Sequence, residues 1–193
     1  AHPFVAEVTA DGIGDGTDII EGEPFECPMA PFGGAEQLAW SPDSKYIAYT
    51  CRKKTGVDYA TSTDSDIYLY DVQTGKTKNL CKPADYKPLP YNATKTKKDQ
   101  RLNHQGADYN MGYDTNPQFS PDGKYVAWQS MKRDGYESDR NRLCVYNLLT
   151  GEKTYVAEKF DSNVDAFCWA PNSRNLYFIG CWHACVNMYQ TDL

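Results

Sequence analysis

No stretch of the 193-residue sequence approaches the ~20 consecutive apolar residues that a membrane-spanning helix needs, which excludes that kind of anchor. Basic charge is also short. Twenty Lys and Arg stand against 26 Asp and Glu, for a net charge of −6 and a pI near 5.0. That balance lacks the cationic surface that attracts nucleic acid or an anionic membrane, so neither is expected as a partner. Gly-x-Ser-x-Gly occurs nowhere, so the nucleophile elbow of an α/β-hydrolase is absent and no catalytic residue is assigned. Gly12-Ile13-Gly14-Asp15-Gly16 has neither the buried strand before it nor the helix after it that a phosphate loop uses, and reads as a turn. Ala1-His2-Pro3-Phe4-Val5-Ala6-Glu7-Val8 has no initiating Met, and Glu7 breaks its apolar stretch. It reads as a cut end, not a signal peptide.

Cysteine is present but unevenly so. The seven residues, at 27, 51, 81, 144, 168, 181 and 185, are odd in number and too sparse for a small disulfide scaffold. Cys144 and Cys168 fall in strand patterns, where a buried thiol acts as a small hydrophobe. Cys181-Trp182-His183-Ala184-Cys185 has the look of a metal site, yet zinc sites show two separated ligand pairs. A short loop between two strands is the better reading, and no metal or other cofactor is implied.

What the sequence does contain is a repeat. Trp40-Ser41-Pro42-Asp43-Ser44-Lys45-Tyr46-Ile47-Ala48-Tyr49 recurs as Phe119-Ser120-Pro121-Asp122-Gly123-Lys124-Tyr125-Val126-Ala127-Trp128, and in worn form as Trp169-Ala170-Pro171-Asn172-Ser173-Arg174-Asn175-Leu176-Tyr177-Phe178. Ser, then Pro, with Gly or Ser at the fourth position suits a type I turn between two strands. A hairpin follows each full copy, through Val72-Gln73-Thr74-Gly75 and through Leu148-Leu149-Thr150-Gly151. Four antiparallel strands per unit is the blade of a β-propeller. Val126 and Trp128 alternate with Tyr125 and Ala127, and Ile47 and Tyr49 with Tyr46 and Ala48. Both faces are therefore apolar and covered by neighbouring blades.

The expected fold is all-β, a propeller fragment of four-stranded antiparallel blades, about three in number. It divides into a blade remnant at 1–20, a Pro- and Gly-rich connection at 21–36, a blade at 37–80, a long loop at 81–112, a blade at 113–156 and a truncated blade at 165–193. In the remnant, Phe4 to Thr9 and Thr17 to Ile20 are expected as outer strands joined by a turn around Gly12 to Gly16. The chain so read begins and ends mid-blade. Its uncovered faces should carry residues such as Val145 and Ile179 or their strand neighbours, and self-association of the open fragment follows as an expectation.

Meander geometry puts the short turns at one end of the blades and the longer loops, 51–65, 81–112 and 131–142, at the other, where binding is expected. Met131 to Arg142 packs seven charges around one Tyr. Glu137 is the candidate for holding a free amine, Arg133 and its fellow arginines for carboxylates, with Tyr136 beside them. The alternative is a solvated loop. The 81–112 loop carries Tyr86, Tyr91, His104 and Tyr109, with Tyr113 directly after it and a sequon at Asn92-Ala93-Thr94; His104 has no visible catalytic or metal partner.

The Ser-Pro-Asp-Gly-Lys copies, with Ile67-Tyr68-Leu69-Tyr70-Asp71 and Thr74-Gly75, resemble repeats of TolB-like and prolyl oligopeptidase-family propellers. Gly34 to Asp43, Gly112 to Gly123 and Arg133-Asp134-Gly135-Tyr136-Glu137 resemble the N-terminal propeller of bacterial dipeptidyl-peptidase 5-like serine peptidases, and the similarity covers essentially the whole chain. The resemblance implies a parent exopeptidase that removes dipeptides from peptide N-termini. In it the propeller gates and positions the peptide substrate for a C-terminal α/β-hydrolase domain. This chain alone is then not an enzyme. The resemblance leaves the parent either exported, to the periplasm or beyond, or cytoplasmic. Related dipeptidyl peptidases hold the substrate amine with paired acidic residues, of which Glu137 is one match and the pair is absent from the motif. The second reading is a TolB-like interaction propeller with no enzymatic parent.

Overall fold

A computed structural model describes residues 1–87 and 109–193. Tyr91, His104 and the Asn92-Ala93-Thr94 sequon lie outside the described residues. Four short strands open the chain: β1 (Phe4–Val5), β2 (Val8–Thr9), β3 (Gly12–Ile13) and β4 (Thr17–Asp18). β1 pairs antiparallel with β4, and β2 with β3. The bend lies at Ala10 and Asp11, with Gly12 already in strand, so the turn sits earlier than the glycine spacing implied.

The first full sheet runs in the order β5 (Leu38–Trp40), β6 (Tyr46–Cys51), β7 (Asp66–Asp71) and β8 (Thr77–Asn79), with α1 (Gly56–Thr61) inserted between β6 and β7. The second has β9 (Asp114–Phe119), β10 (Tyr125–Ser130), β11 (Arg142–Asn147) and β12 (Lys153–Val156). The last holds β13 (Ala166–Trp169), β14 (Asn175–Trp182) and β15 (Cys185–Asp192). All neighbours are antiparallel, which is the all-β, propeller-type architecture that the repeat predicts.

The repeat's turn works as its chemistry demands. In the first copy, Ser44 N–H donates to the Ser41 carbonyl at 2.9 Å, and Ser41 Oγ accepts from Tyr46 N–H at 2.9 Å. In the second, Gly123 N–H donates to the Ser120 carbonyl at 2.9 Å. The fourth position is left-handed in every copy, with φ of 60° at Ser44, 70° at Gly123 and 57° at Ser173. Small residues stand there because a branched side chain would be strained.

Alternation along each central strand feeds two different cores. Ile47 and Tyr49 join Ile19, Ile20 and Cys27, whereas Ala48 joins Ile67, Val126 and Trp128. Ala127, Leu143 and Val145 face the other way, against Leu176 and Phe178 of β14. This corrects one expectation. Val145 is not on an uncovered face, because β13 and β14 lie over it and leave it 2% exposed. Ile179 is 41% exposed, and beside it Val186 and Met188 on β15 are exposed too. Cys181 to Cys185 is a tight hairpin in which Trp182 pairs with Cys185, and His183 and Ala184 both take positive φ.

Candidate functional site

The elaborated end of the sheets is held together by a buried polar network. Lys82 lies between Asp64, at 2.7 Å, and Asp66, and Lys54 approaches the other Asp64 oxygen at 2.8 Å. Burial opposes the Lys82 charge, but the Asp66 and Asp64 carboxylates outweigh it and hold its pKa above the usual lysine value. An uncompensated buried charge would be costly, so this pairing is what lets the connection after β8 pass between two sheets. Deeper still, Asp114 accepts from Trp128 Nε1–H and, at 2.8 Å, from Asn110 Nδ2–H. Its full burial drives its carboxyl well above the ordinary range. Asp66, Cys81 and Asp114 bring a sulfur and carboxylate oxygens within 4.8 Å of one another, the one such ligand group among the described residues. The Lys82 ammonium already supplies the positive charge on Asp66 that a cation would bring.

Above the network, the 131–142 loop is fixed to the preceding blade. Asp134 Oδ1 accepts from Ser62 Oγ and from Thr63 N–H, both at 2.8 Å, and Gly135 N–H donates to Thr63 Oγ1 at 2.8 Å. Gly135 has φ of 73°, which turns the chain back over this anchor. Arg133 forks onto Asp139, its Nε at 2.8 Å from Oδ1, and its guanidinium lies 4.2 Å from the Tyr136 ring centroid. Burial works against the Asp139 carboxylate, but the Arg133 hydrogen bonds outweigh it and hold its pKa below the usual value. Arg133 and Tyr136 are thus engaged with their own loop. Glu137 is exposed at its tip, with no hydrogen-bond or ion-pair partner among the described residues.

Glu137 opens onto a cleft of about 420 Å³ in which three stretches meet. The 21–36 connection contributes Glu26 and Pro31, the connection between β6 and β7 contributes Arg52 and Tyr59 to Thr63, and Tyr113 comes from the lead-in to β9. Glu26 accepts from Tyr59 O–H at 3.4 Å and lies 3.6 Å from the Ala1 amino group. Arg52 donates to the Ser62 carbonyl at 3.1 Å, and its guanidinium sits 4.3 Å from the Tyr59 ring centroid. Two carboxylates, two tyrosines and one guanidinium suit a small cationic or amine-bearing ligand.

Of the residues singled out in the sequence, Glu137 is in this cleft, whereas Arg133 and Tyr136 shape the loop behind it. Glu26, Arg52 and Tyr59 were missed, and Tyr113 was named only as one of several tyrosines near the long loop. The first 44 residues hold acidic side chains and no Lys or Arg, a pattern that marks the segment but does not single out Glu26 within it.

No family model matches the chain. Dipeptidyl-peptidase 5 of Porphyromonas gingivalis is 46% identical over 192 residues, covering 100% of this chain and 24% of that protein. Dipeptidyl-peptidase 5 of Porphyromonas endodontalis is 44% identical, with the same coverage. The chain therefore spans about a quarter of the length of these relatives. Among solved structures, TolB from Acinetobacter baumannii superposes on 98% of this chain and 35% of its own, with a TM-score of 0.53 at 19% identity. That likeness speaks for the propeller fold.

Proposed function

We propose, on the premise that this chain is a β-propeller segment of the dipeptidyl-peptidase 5 family, that its cleft receives the amino-terminal end of a peptide and positions it for a serine-peptidase domain of α/β-hydrolase type elsewhere in the full-length protein. One observation carries the reading: Glu26 and Glu137, from stretches far apart in sequence, line a single cleft. A peptide's α-ammonium has three N–H donors and pairs well with carboxylates arranged around it, in hydrogen bonds strengthened by charge. Tyr59 and Tyr113 offer ring faces to the apolar part of the first residues, and Arg52 offers N–H donors to a backbone carbonyl. The propeller contributes orientation. Holding the amine fixes how far the peptide enters, and so which bond meets a nucleophile supplied from outside this sequence.

The division of labour within the 131–142 loop follows. Arg133, locked on Asp139 and stacked on Tyr136, keeps the loop in shape, and Asp134 pins it to Ser62 and Thr63, which also line the cleft. Glu137 is then presented on a rigid support. In the full-length peptidase, Glu137→Ala should lower kcat/KM for free-amine dipeptide substrates by about 10-fold or more, the worth of one charged hydrogen bond. The melting temperature should stay put, since the side chain is exposed. An unaltered kcat/KM would reduce Glu137 to a solvated surface charge.

A further inference from the structure

Beneath the cleft lie two cysteines that the peptide-binding reading does not use. Cys27 and Cys51 are both 0% exposed and share one core with Ile19, Ile20 and Tyr49. Cys51 ends β6, while Cys27 belongs to the 21–36 connection, directly after the cleft residue Glu26. The Cys51 thiol donates to the Glu26 carbonyl at 3.5 Å. That oxygen and the Cys27 Cα belong to the same planar peptide unit, so the Cys51 sulfur approaches the very plane that carries Cys27. Both thiols are free in this structure, and a disulfide between them needs Cα atoms about 4.4–6.8 Å apart.

We propose that Cys27 and Cys51 form a disulfide, made by thiol–disulfide exchange with a small-molecule disulfide such as oxidised glutathione, that staples the 21–36 connection to β6 under the Glu26 wall of the cleft. The bond does not depend on what the cleft binds. In the first step the Cys27 thiolate attacks one glutathione sulfur and releases one glutathione thiolate. The Cys51 thiolate then attacks the Cys27 sulfur of this mixed disulfide, closing the protein bond and releasing the second glutathione thiolate. Two protons leave the cysteines and two electrons pass to the glutathione disulfide. Burial pushes both thiols up to about 12, so neither is a nucleophile once the connection has docked. The exchange therefore belongs to folding. In the folded chain, reagents meet Cys168, Cys181 and Cys185, which are exposed.

Mass mapping of the unaltered chain tests this without a variant. The chain is unfolded under reducing conditions, refolded in a mixture of reduced and oxidised glutathione, capped with an alkylating reagent and digested with trypsin. Lys45 and Arg52 bound the fragments, so the bond would join residues 1–45 to residues 46–52, lighter by two hydrogens than the two free peptides together. The denatured thiol count should fall by two from seven. The bonded form should melt about 5–10 °C above the reduced one, and the difference should vanish in the Cys27→Ala, Cys51→Ala double variant. Alkylated Cys27 and Cys51, either residue joined to another cysteine, or a melting temperature indifferent to reductant would each overturn the proposal.

Discussion

The four-stranded sheet of β9 to β12 and the three-stranded sheet of β13 to β15 are built from the same repeat, yet they live in different surroundings. In the sheet of β9 to β12, Trp128, Cys144 and Tyr146 pack on the preceding blade, and Ala127, Leu143 and Val145 pack on the following one. In the sheet of β13 to β15 only one face is covered. Leu176 and Phe178 are buried, while Ile179, Val186 and Met188 stand in the open. The difference teaches that blade sequence sets strand and turn, but the energy comes from neighbours. An alternating strand contributes fully only when both of its faces are taken.

The contrast can be broken most forcefully at tryptophan. Trp128 is fully buried and its indole N–H satisfies Asp114, so Trp128→Ala should cost about 3–5 kcal/mol of unfolding free energy in denaturant titration. Trp182→Ala, on the last sheet and 42% exposed, should cost well under half as much. A smaller and cleaner pair is Val145→Ala, expected near 2 kcal/mol, against Val186→Ala, expected within about 0.5 kcal/mol. Equal losses at the two valines would mean that the last sheet's outer face is covered in solution.

A pH profile sharpens the same comparison, because the inner sheet fully buries the carboxylate of Asp114, whereas the one carboxylate of β13 to β15, Asp192, is exposed. Burial raises the Asp114 pKa in the folded state. A carboxyl raised on folding binds its proton more tightly folded than unfolded. Its contribution is therefore greatest below the unfolded value of about 3.9 and declines as pH climbs from there towards the folded pKa. Asp114→Asn keeps an acceptor for Trp128 and removes the titration. Its stability should fall less steeply than wild type across that window, as followed by thermal melts from pH 3 upward. Identical slopes would remove Asp114 from the account.

Much of this architecture was legible in residues 40–49, 119–128 and 169–178, because turn chemistry and a period of two are local properties. The two-core alternation of Val126 against Ala127 was legible for the same reason. Val145 was misjudged since whether a face is covered depends on a sheet some twenty residues further on, which no local pattern reports. Glu137 was visible as a charge among charges. What made it distinct is that its loop neighbours are engaged, Arg133 by Asp139 within the loop and Asp134 by Ser62 and Thr63 in a contact that exists only once two blades stand side by side. Glu26 was hidden by its setting in a Pro- and Gly-rich connection with no periodicity to interpret.

The mildest expectation is a blank. The isolated chain has no nucleophile elbow, so it should release no more product than buffer from dipeptidyl chromogenic substrates, even though it carries the cleft. Turnover that survives purification and yields to a serine-reactive inhibitor would break the assignment of chemistry to another domain.

The central claim, that Glu26 and Glu137 together recognise a peptide's free amine, is met most directly by comparing free-amine and N-acetylated versions of one peptide substrate in the full-length peptidase. Both carboxylates are exchanged for amides, as Glu26→Gln and Glu137→Gln. The account predicts that the wild-type preference in kcat/KM for the free amine collapses in the double variant, with turnover of the acetylated peptide little changed. A preference that survives both substitutions undiminished would contradict it.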